Sequence, residues 1–475
     1  MQNIEPSEID TIFHKAELLR ENGKKEEALQ EYTRVVFLAP RHWPAYFHLG
    51  TLFGSSGKHE LAVSLLRRAD EINPDNPVVK NHLADYLSKL DRDEEAIEFF
   101  KQSWELDSSI NNTSAAANIG RVYWESNRPK EAIPYFDQVL DTTKDQDISK
   151  EIEGSVHVSR WFRGLCRMCL GDYEAAWEDY ESRINIPGVI NPDLSGEKWT
   201  GQSLDGKTIF FAYEQRFGDI IQFMRFIPLL KESGARVLIQ IPPELERLFR
   251  ISFPDVELVL TSEPIPEYDY HQLVTSVPAI LKLSKKDITQ CKIPYMDVVE
   301  ADKVAAAPPL RNDSCLRVGL LWAGQPNPDR SIPITKYVPL LKHRSISFYS
   351  FQLGERRQDL YDNAVGWLIH DLAPGISDFY DSSLLLKNMD LLITIDTAIA
   401  HQAGALGVPV WLMLRHFSDW RWELNREDNA WYPSMRLFRQ EREGCWDEAA
   451  EKLERAFDKW VERSERKKNT GSKSS

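Results

Sequence analysis

Residues 391–407 read LLITIDTAIAHQAGALG. Five apolar or β-branched residues run straight into Asp396 and Thr397, and a run of small residues follows, holding one histidine, His401. A short continuous apolar run fits a strand buried on both faces, as in a parallel sheet. The Ala/Gly-rich segment after it reads as a helix built for close packing. The free N–H groups and partial positive charge of a helix start favour an anion. Thr397 can add a hydroxyl to a phosphate oxygen, and His401, one turn on, can reach the same anion. Small Ala398, Ala400 and Ala403 allow close approach of helix, sheet and ligand. Plain helix–sheet packing with Asp396 as the N-cap accounts for the same residues, so this stretch alone leaves both readings open.

The same alternation of strand and helix recurs on the N-terminal side. TIFFAY (208–213) reads as a buried strand followed by a helix over 218–232; ARVLIQI, VELVL and YDYHQLV are further strands. The stretch VVEADKVAAAPPLRNDSC (298–315) interrupts this series, and a second follows: LRVGLLWA, ISFYSFQ, GWLIHDL, DLLITI and VPVWLML. Strands alternating with helices predict parallel sheets covered on both faces, here two Rossmann-like lobes over 207–305 and 314–445. Ligands of such sheets bind at the carboxyl ends of the strands. A last helix over 446–465 is expected to return and brace the lobes, with a frayed tail at 466–475.

Two other junctions carry chemistry. In AYEQRFGDIIQFMRFIPLL (212–230), Gly218 turns the chain and Asp219 begins a helix. A carboxylate there suits a general base and equally a helix cap. Arg216 and Arg225 are the cations expected beside it. In VGLLWAGQPNPDRSIPI (318–334), Arg330 lies in the loop after a strand. Its guanidinium suits bidentate phosphate binding, or it is an ordinary surface arginine. Trp420, Trp422, Trp431 and Tyr432 crowd a later charged stretch. Aromatics stack on a base or a sugar face, or fill a satellite core between lobes, the reading that suits Trp422 and Trp431. No Asp-x-Asp pair ends a strand in either lobe, the sequences DRD and DQD lying at 91–93 and 145–147. No metal site is therefore expected. Neither a G-x-S-x-G elbow nor a P-loop occurs.

Ahead of the lobes the grammar is helical. Pro40, Pro74 and Ser108 are 34 residues apart, and the same period links Ala28, Ala62 and Ala96; Ala16, Gly50 and Ala84; and Tyr32, Leu66 and Phe100. Gly23, Gly57 and Asp91 mark turns. Small residues where two helices cross, an aromatic on the second helix and proline at its end resemble the tetratricopeptide repeat. Gly120, Asn127, Ala132 and Phe136 continue the pattern, as do Gly164, Gly171, Ala176 and Tyr180. Residues 8–188 thus read as roughly five helical pairs in a solenoid whose groove holds peptides or protein segments. A spacer or dimerisation arm is the other reading. A Pro/Gly/Asp-rich linker follows at 189–206.

The whole chain has 475 residues, 42% hydrophobic and 28% charged, with net charge −15. That balance argues against extended nucleic-acid binding, though not against a small nucleotide. No apolar run reaches the ~18 residues of a membrane span. The acidic N-terminus lacks a signal peptide's apolar stretch, so a cytoplasmic protein without integral membrane contact is expected. Five cysteines form no disulfide framework, and Cys166 and Cys169 read as ordinary helix residues.

Together, YEQRFGDIIQFMRFIPLL, VGLLWAGQPNPDRSIPI, DLLITIDTAIAHQAGALGVPVWLML and SDWRWELNREDNAWYPSMRLFRQ resemble bacterial GT-B glycosyltransferases related to the heptosyltransferases, in the branch that carries N-terminal tetratricopeptide repeats. The expected fold is an all-α tetratricopeptide solenoid followed by an α/β GT-B domain of two Rossmann-like lobes. The resemblance implies a metal-independent inverting transferase without a cofactor, whose substrate is a nucleotide-sugar. Donor contacts fall on Arg330, Asp396, Thr397, Ala398, His401, Trp322 and Gly324. Asp219 matches the carboxylate proposed as base, with Glu214, Gln215, Arg216 and Gln222 on the acceptor side. Relatives usually read Gln-Gly-Leu-Gly-Asp where this chain has Gln215, Arg216, Phe217, Gly218 and Asp219. Arg216 in place of glycine narrows the pocket, adds an anion contact or signals lost activity. Members of this architecture include enzymes that glycosylate flagellins bound by their repeats, which implies a protein hydroxyl as acceptor. A non-catalytic repeat scaffold and transfer to a lipopolysaccharide-type acceptor are the alternatives.

Overall fold

A computed structural model of the chain describes residues 6–186, 194–214, 216–305, 315–324 and 330–471. The chain forms two compact units, Met1–Arg167 with Asn185–Pro187, and Met168–Ile184 with Gly188–Ser475.

The first unit is a tetratricopeptide solenoid. Its helices pair as Pro6–Glu21 with Lys25–Leu38, Trp43–Ser55 with His59–Ile72, Pro77–Ser88 with Asp93–Leu106, and Thr113–Glu125 with Pro129–Thr143. The period has a physical cause at each position. The turn residue between paired helices is left-handed every time: Gly23, Gly57, Asp91 and Asn127 have φ of 73°, 77°, 57° and 62°. Gly, Asn and Asp tolerate that region. The small residue of one helix receives the large residue of its partner. A Cβ on Gly50 would stand 2.7 Å from Leu66, and one on Gly120 would stand 2.6 Å from Phe136.

Adjacent pairs meet just as closely, since a Cβ on Gly54 would lie 2.1 Å from the Tyr86 ring. Gly54→Ala gains about 1 kcal/mol of helix propensity. The buried ring cannot yield, and overpacking costs about 1–3 kcal/mol or more. A lower melting temperature by circular dichroism is expected; an unchanged or higher one would contradict this packing.

The second unit holds two parallel sheets. The strands are β1 (Glu197–Lys198), β2 (Thr208–Ala212), β3 (Arg236–Ile241), β4 (Glu257–Leu260), β5 (Tyr270–Leu273), β6 (Leu316–Leu320), β7 (Ile346–Ser350), β8 (Ile369–Asp371), β9 (Leu391–Ile395), β10 (Val410–Leu414) and β11 (Met435–Arg439). The five-stranded sheet has the order β1-β5-β2-β3-β4, and the six-stranded sheet β11-β10-β9-β6-β7-β8. The interior strands β9 and β10 are buried at every residue, as their unbroken apolar runs require. β1 and β11 are additions to the expected strands, and both lie at sheet edges.

Helix Lys150–Cys169 ends the solenoid side, and Cys166 and Cys169 are buried without a disulfide. Helix Tyr173–Tyr180 obeys the repeat pattern, yet it belongs to the second unit. The Trp177 indole N–H donates to Leu283 O at 2.8 Å, and the Trp431 indole donates to the Tyr173 hydroxyl at 2.9 Å. This helix therefore bonds to both lobes.

The C-terminal helix runs Asp447–Gly471, past the expected end at 465. It packs along the second lobe, with Phe457 against Phe348 and Trp411 and with Asp458 bonded to Lys342 and His343. Among the described residues, no helix is long and apolar enough to cross a membrane.

Candidate functional site

Each sheet has one point where the chain reverses direction. The first runs outward through β2, β3 and β4, then returns to the other side of β2 as β5. The second runs through β6, β7 and β8, then returns to the other side of β6 as β9. Loops leaving two such neighbouring strands diverge and open a crevice at their carboxyl ends. Residues 213–219 follow β2. Residues 321–324 and Arg330 follow β6, and Asp396 and Thr397 follow β9.

At the first crevice, helix Phe217–Phe223 starts with Arg216 in the N-cap position, its side chain making no cap bond. Arg216 is exposed. Asp219 is the third residue of the helix, so it is not the cap. Its Oδ1 accepts from Arg421 Nη2 at 2.8 Å, and 24% of its side chain is exposed. Arg225, one of the cations expected beside it, is buried elsewhere. That guanidinium donates to Gln222 O at 3.0 Å and Trp431 O at 2.7 Å and faces the Tyr432 ring. The partner of Asp219 is thus Arg421, from the other lobe.

Glu214 accepts from Arg183 Nε at 3.3 Å and from the Thr275 hydroxyl. Burial raises its carboxyl above the usual range and the Asp219 charge adds to this, while Arg183 opposes both. Arg183 also donates to Thr275 Oγ1 at 2.6 Å and Ser276 Oγ at 3.0 Å. Gln222 is fully buried. Gln215 lies outside the described residues.

At the second crevice, helix Ala398–Ala405 starts at Thr397, which occupies the extended N-cap position without a side-chain cap bond. Its hydroxyl instead reaches Ile395 O at 3.4 Å. Asp396 stands one residue earlier and is not the N-cap; its Oδ2 is 3.7 Å from Arg330 Nη1. Burial raises the Asp396 carboxyl, and the Asp419 charge adds to this against Arg330, Trp422 and Arg421. Burial also works against ionised Asp419, but Arg421 outweighs it and holds that carboxyl below the usual range. A proton entering this pair therefore goes to Asp396. Gly324 leaves room for Thr397, since a Cβ there would come within 2.9 Å of Thr397 Cγ2.

The Trp322 ring, read as a donor contact, is fully buried, and its indole N–H donates to Asp359 at 2.8 Å. His401 is 5% exposed, its Nδ1 3.1 Å from the Tyr432 hydroxyl and its ring stacked on Trp422. Burial, then Arg421, pushes its pKa down to about 3, so it is a neutral hydrogen-bonding group rather than a cation. Trp422, Trp431 and Tyr432 are fully buried core, as the satellite-core reading has it.

The shifted histidine makes stability depend on pH. Below about 6.5 the unfolded imidazole takes up a proton. The folded one refuses it until about 3, so the site loses stability as pH falls through that window. His401→Asn is expected to flatten the acid dependence by about one proton. Urea unfolding at several pH values measures it, and an unchanged slope would contradict a neutral buried His401.

The two crevices meet through their helices. A Cβ on Gly218 would stand 3.0 Å from His401 Cδ2 and 3.8 Å from Ala398 Cα. The start of the Asp219 helix thus lies directly against the start of the Ala398 helix. Asp219 is carried by the first of these helices, and the uncapped Thr397 begins the second. The sequence reading missed Arg421, Asp419 and Arg183. The only local sign was an arginine flanked by two tryptophans at Trp420–Trp422. Among the described residues, no cluster of three or more His, Cys, Asp or Glu side chains is placed to hold a metal ion.

Tetratricopeptide repeat models match residues 13–77, 79–110 and 115–148. The chain is similar to Protein FlbA of Caulobacter vibrioides (strain ATCC 19089 / CIP 103742 / CB 15), 24% identical over 502 residues, covering 92% of this chain and 82% of that protein. Among solved structures it is similar to YrrB, described as a TPR protein with an unusual peptide-binding site, at 21% identity and TM-score 0.32, covering 37% of this chain and 84% of that one. It is also similar to MamA at 17% identity and TM-score 0.31, covering 39% of this chain and 100% of that one.

Proposed function

We propose that this chain is an inverting glycosyltransferase of the GT-B type, acting in the cytoplasm on a protein that its repeats recruit, with flagellin among the acceptors the family resemblance implies. The observation that carries this reading is the meeting of the two crevices. Asp219 lies on a helix whose start packs against the uncapped start at Thr397, and Asp396 beside that start is 3.7 Å from Arg330, with one such junction at the carboxyl end of each sheet's central strands. A diphosphate on the helix start would receive N–H groups, the Thr397 hydroxyl and the Arg330 guanidinium.

In this reading Arg421 occupies Asp219 Oδ1, and Oδ2 takes the proton of the acceptor hydroxyl. The hydroxyl oxygen bonds to the anomeric carbon from the face opposite the diphosphate, whose bond to that carbon breaks. The nucleotide leaves with the bonding electrons, and Arg330 and the helix start stabilise its charge. No cofactor enters these steps. Charge neutralisation falls to protein groups, so transfer is expected to survive EDTA, and a requirement for added Mg²⁺ or Mn²⁺ would overturn that assignment.

Arg330→Ala tests the donor site. A charge-assisted hydrogen bond contributes about 1.5–3 kcal/mol, so nucleotide-sugar affinity should fall about 10- to 100-fold with the fold intact. Calorimetric titration measures it; unchanged affinity would move the donor elsewhere.

A further inference from the structure

Arg421 lies between the two lobes with only 8% of its side chain exposed. Its three nitrogens have three separate duties. Nη2 donates to Asp219 at 2.8 Å, Nη1 donates to Asp419 Oδ1 at 2.9 Å, and Nε donates to Gln222 Oε1. The guanidinium lies over the Trp420 ring, 4.3 Å from its centroid. Its backbone is pinned as well: the N–H donates to Asp419 Oδ1 at 3.0 Å, and the carbonyl accepts from Asn429 at 2.9 Å. Asp219 and Gln222 are one turn apart on their helix, so one rigid fork grips that turn at two points.

The fork also fixes Gln222. Arginine Nε can only donate, so the Gln222 carbonyl oxygen must face it and the amide nitrogen must face away. That nitrogen is buried without a hydrogen-bond partner among the described residues. Leaving an amide nitrogen unpartnered works against stability. The grip on the Asp219 turn is maintained despite that cost.

We infer that Arg421 is a positioning residue for the proposed transfer. Reaching across the lobe junction, it sets the orientation of the Asp219 carboxylate, so the base is aligned only when the lobes are joined. This rests on the function proposed above. Arg421 acts through Asp219 and touches neither donor nor acceptor.

The test is a double-mutant cycle on the full-length protein, with Arg421→Lys, Asp219→Asn and the pair. Lysine keeps the charge and loses the fork. Misplacing a reacting group by about 1 Å can lower the rate ~100-fold. Arg421→Lys should therefore reduce kcat about 100-fold while donor KM stays within about 2-fold of wild type. In the Asp219→Asn background the same change should reduce kcat less than about 3-fold, because the group it positions is gone. Wild-type kcat in Arg421→Lys, or losses that multiply in the double variant, would overturn the inference. Should Arg421→Lys fail to fold, Asp419→Asn loosens the third arm and leaves Arg421 and Asp219 in place. The same non-additivity with Asp219→Asn is then expected, and multiplied losses again overturn it. Wild-type transfer is the control. Its absence overturns the proposed function and this inference together, whereas wild-type transfer with multiplied losses overturns the inference alone.

Discussion

Asp219→Asn is expected to lower sugar transfer about 10²–10⁴-fold, the usual loss when a general base is removed. Donor affinity should stay near wild type, because Arg330 and the helix start at Thr397 lie on the other lobe. The fold should persist, since an asparagine Oδ1 still accepts from Arg421 Nη2, the bond Asp219 makes at 2.8 Å. A helix-capping role for Asp219 would predict almost no change, but the structure gives the N-cap position to Arg216. Parallel measurements of transfer to a purified acceptor and of donor binding separate these outcomes. Full transfer by the variant would sink the catalytic assignment.

The second large effect concerns where the chain is cut. Removing residues 1–167 takes away the first unit's repeats and leaves the second unit its own residues. Donor binding should survive this truncation and transfer to the protein acceptor should be lost. Removing residues 1–190 should behave quite differently, because it strips Tyr173, Trp177, Tyr180 and Arg183 from the second unit. Tyr173 is fully buried and Trp177 is 2% exposed, each bonded to a lobe. Deleting a large buried aromatic costs about 3–5 kcal/mol. Several such losses approach the whole stability of a domain, about 5–15 kcal/mol. The longer truncation should therefore lose its cooperative melt and its donor binding together. A folded, donor-binding protein lacking residues 1–190 would contradict the place of helix Tyr173–Tyr180 in the second unit. Full transfer by the protein lacking residues 1–167 would remove the recruiting role of the repeats.

The repeats were legible because their signal is local. The left-handed turns at Gly23, Gly57 and Asp91 and the small-against-large pairs such as Gly50 and Leu66 recur at one fixed spacing. Buried parallel strands were legible for a similar reason, as the apolar run of β9 shows. β11 was hidden because Arg436 and Arg439 break its apolar pattern at the sheet edge. Where the chain divides into units was not legible either. Gly171, Ala176 and Tyr180 follow the repeat pattern, but the indole that bonds to Tyr173 lies 258 residues away.

The same distance effect limits the site. The positions of Asp219, Arg330, Asp396 and Thr397 follow from strand ends, which are visible in sequence. Arg421 bonds to Gln222 and Asp219, 199 and 202 residues away, and the flanking tryptophans and Asp419 do not reveal those partners. Trp322 also follows from a strand end, and only the tertiary structure shows its N–H bonded to Asp359.

The central claim is that the second unit seats a nucleotide-sugar at the Ala398 helix start. Thermal unfolding of the full chain with UDP-, GDP-, ADP- and CMP-sugars, beside Arg330→Ala, tests it most directly. A ligand at 100 times its dissociation constant stabilises the folded state by about 2.7 kcal/mol. The account predicts a clear rise in melting temperature with one nucleotide class, largely lost in Arg330→Ala. No shift with any of the four, or an equal shift in the variant, would contradict it.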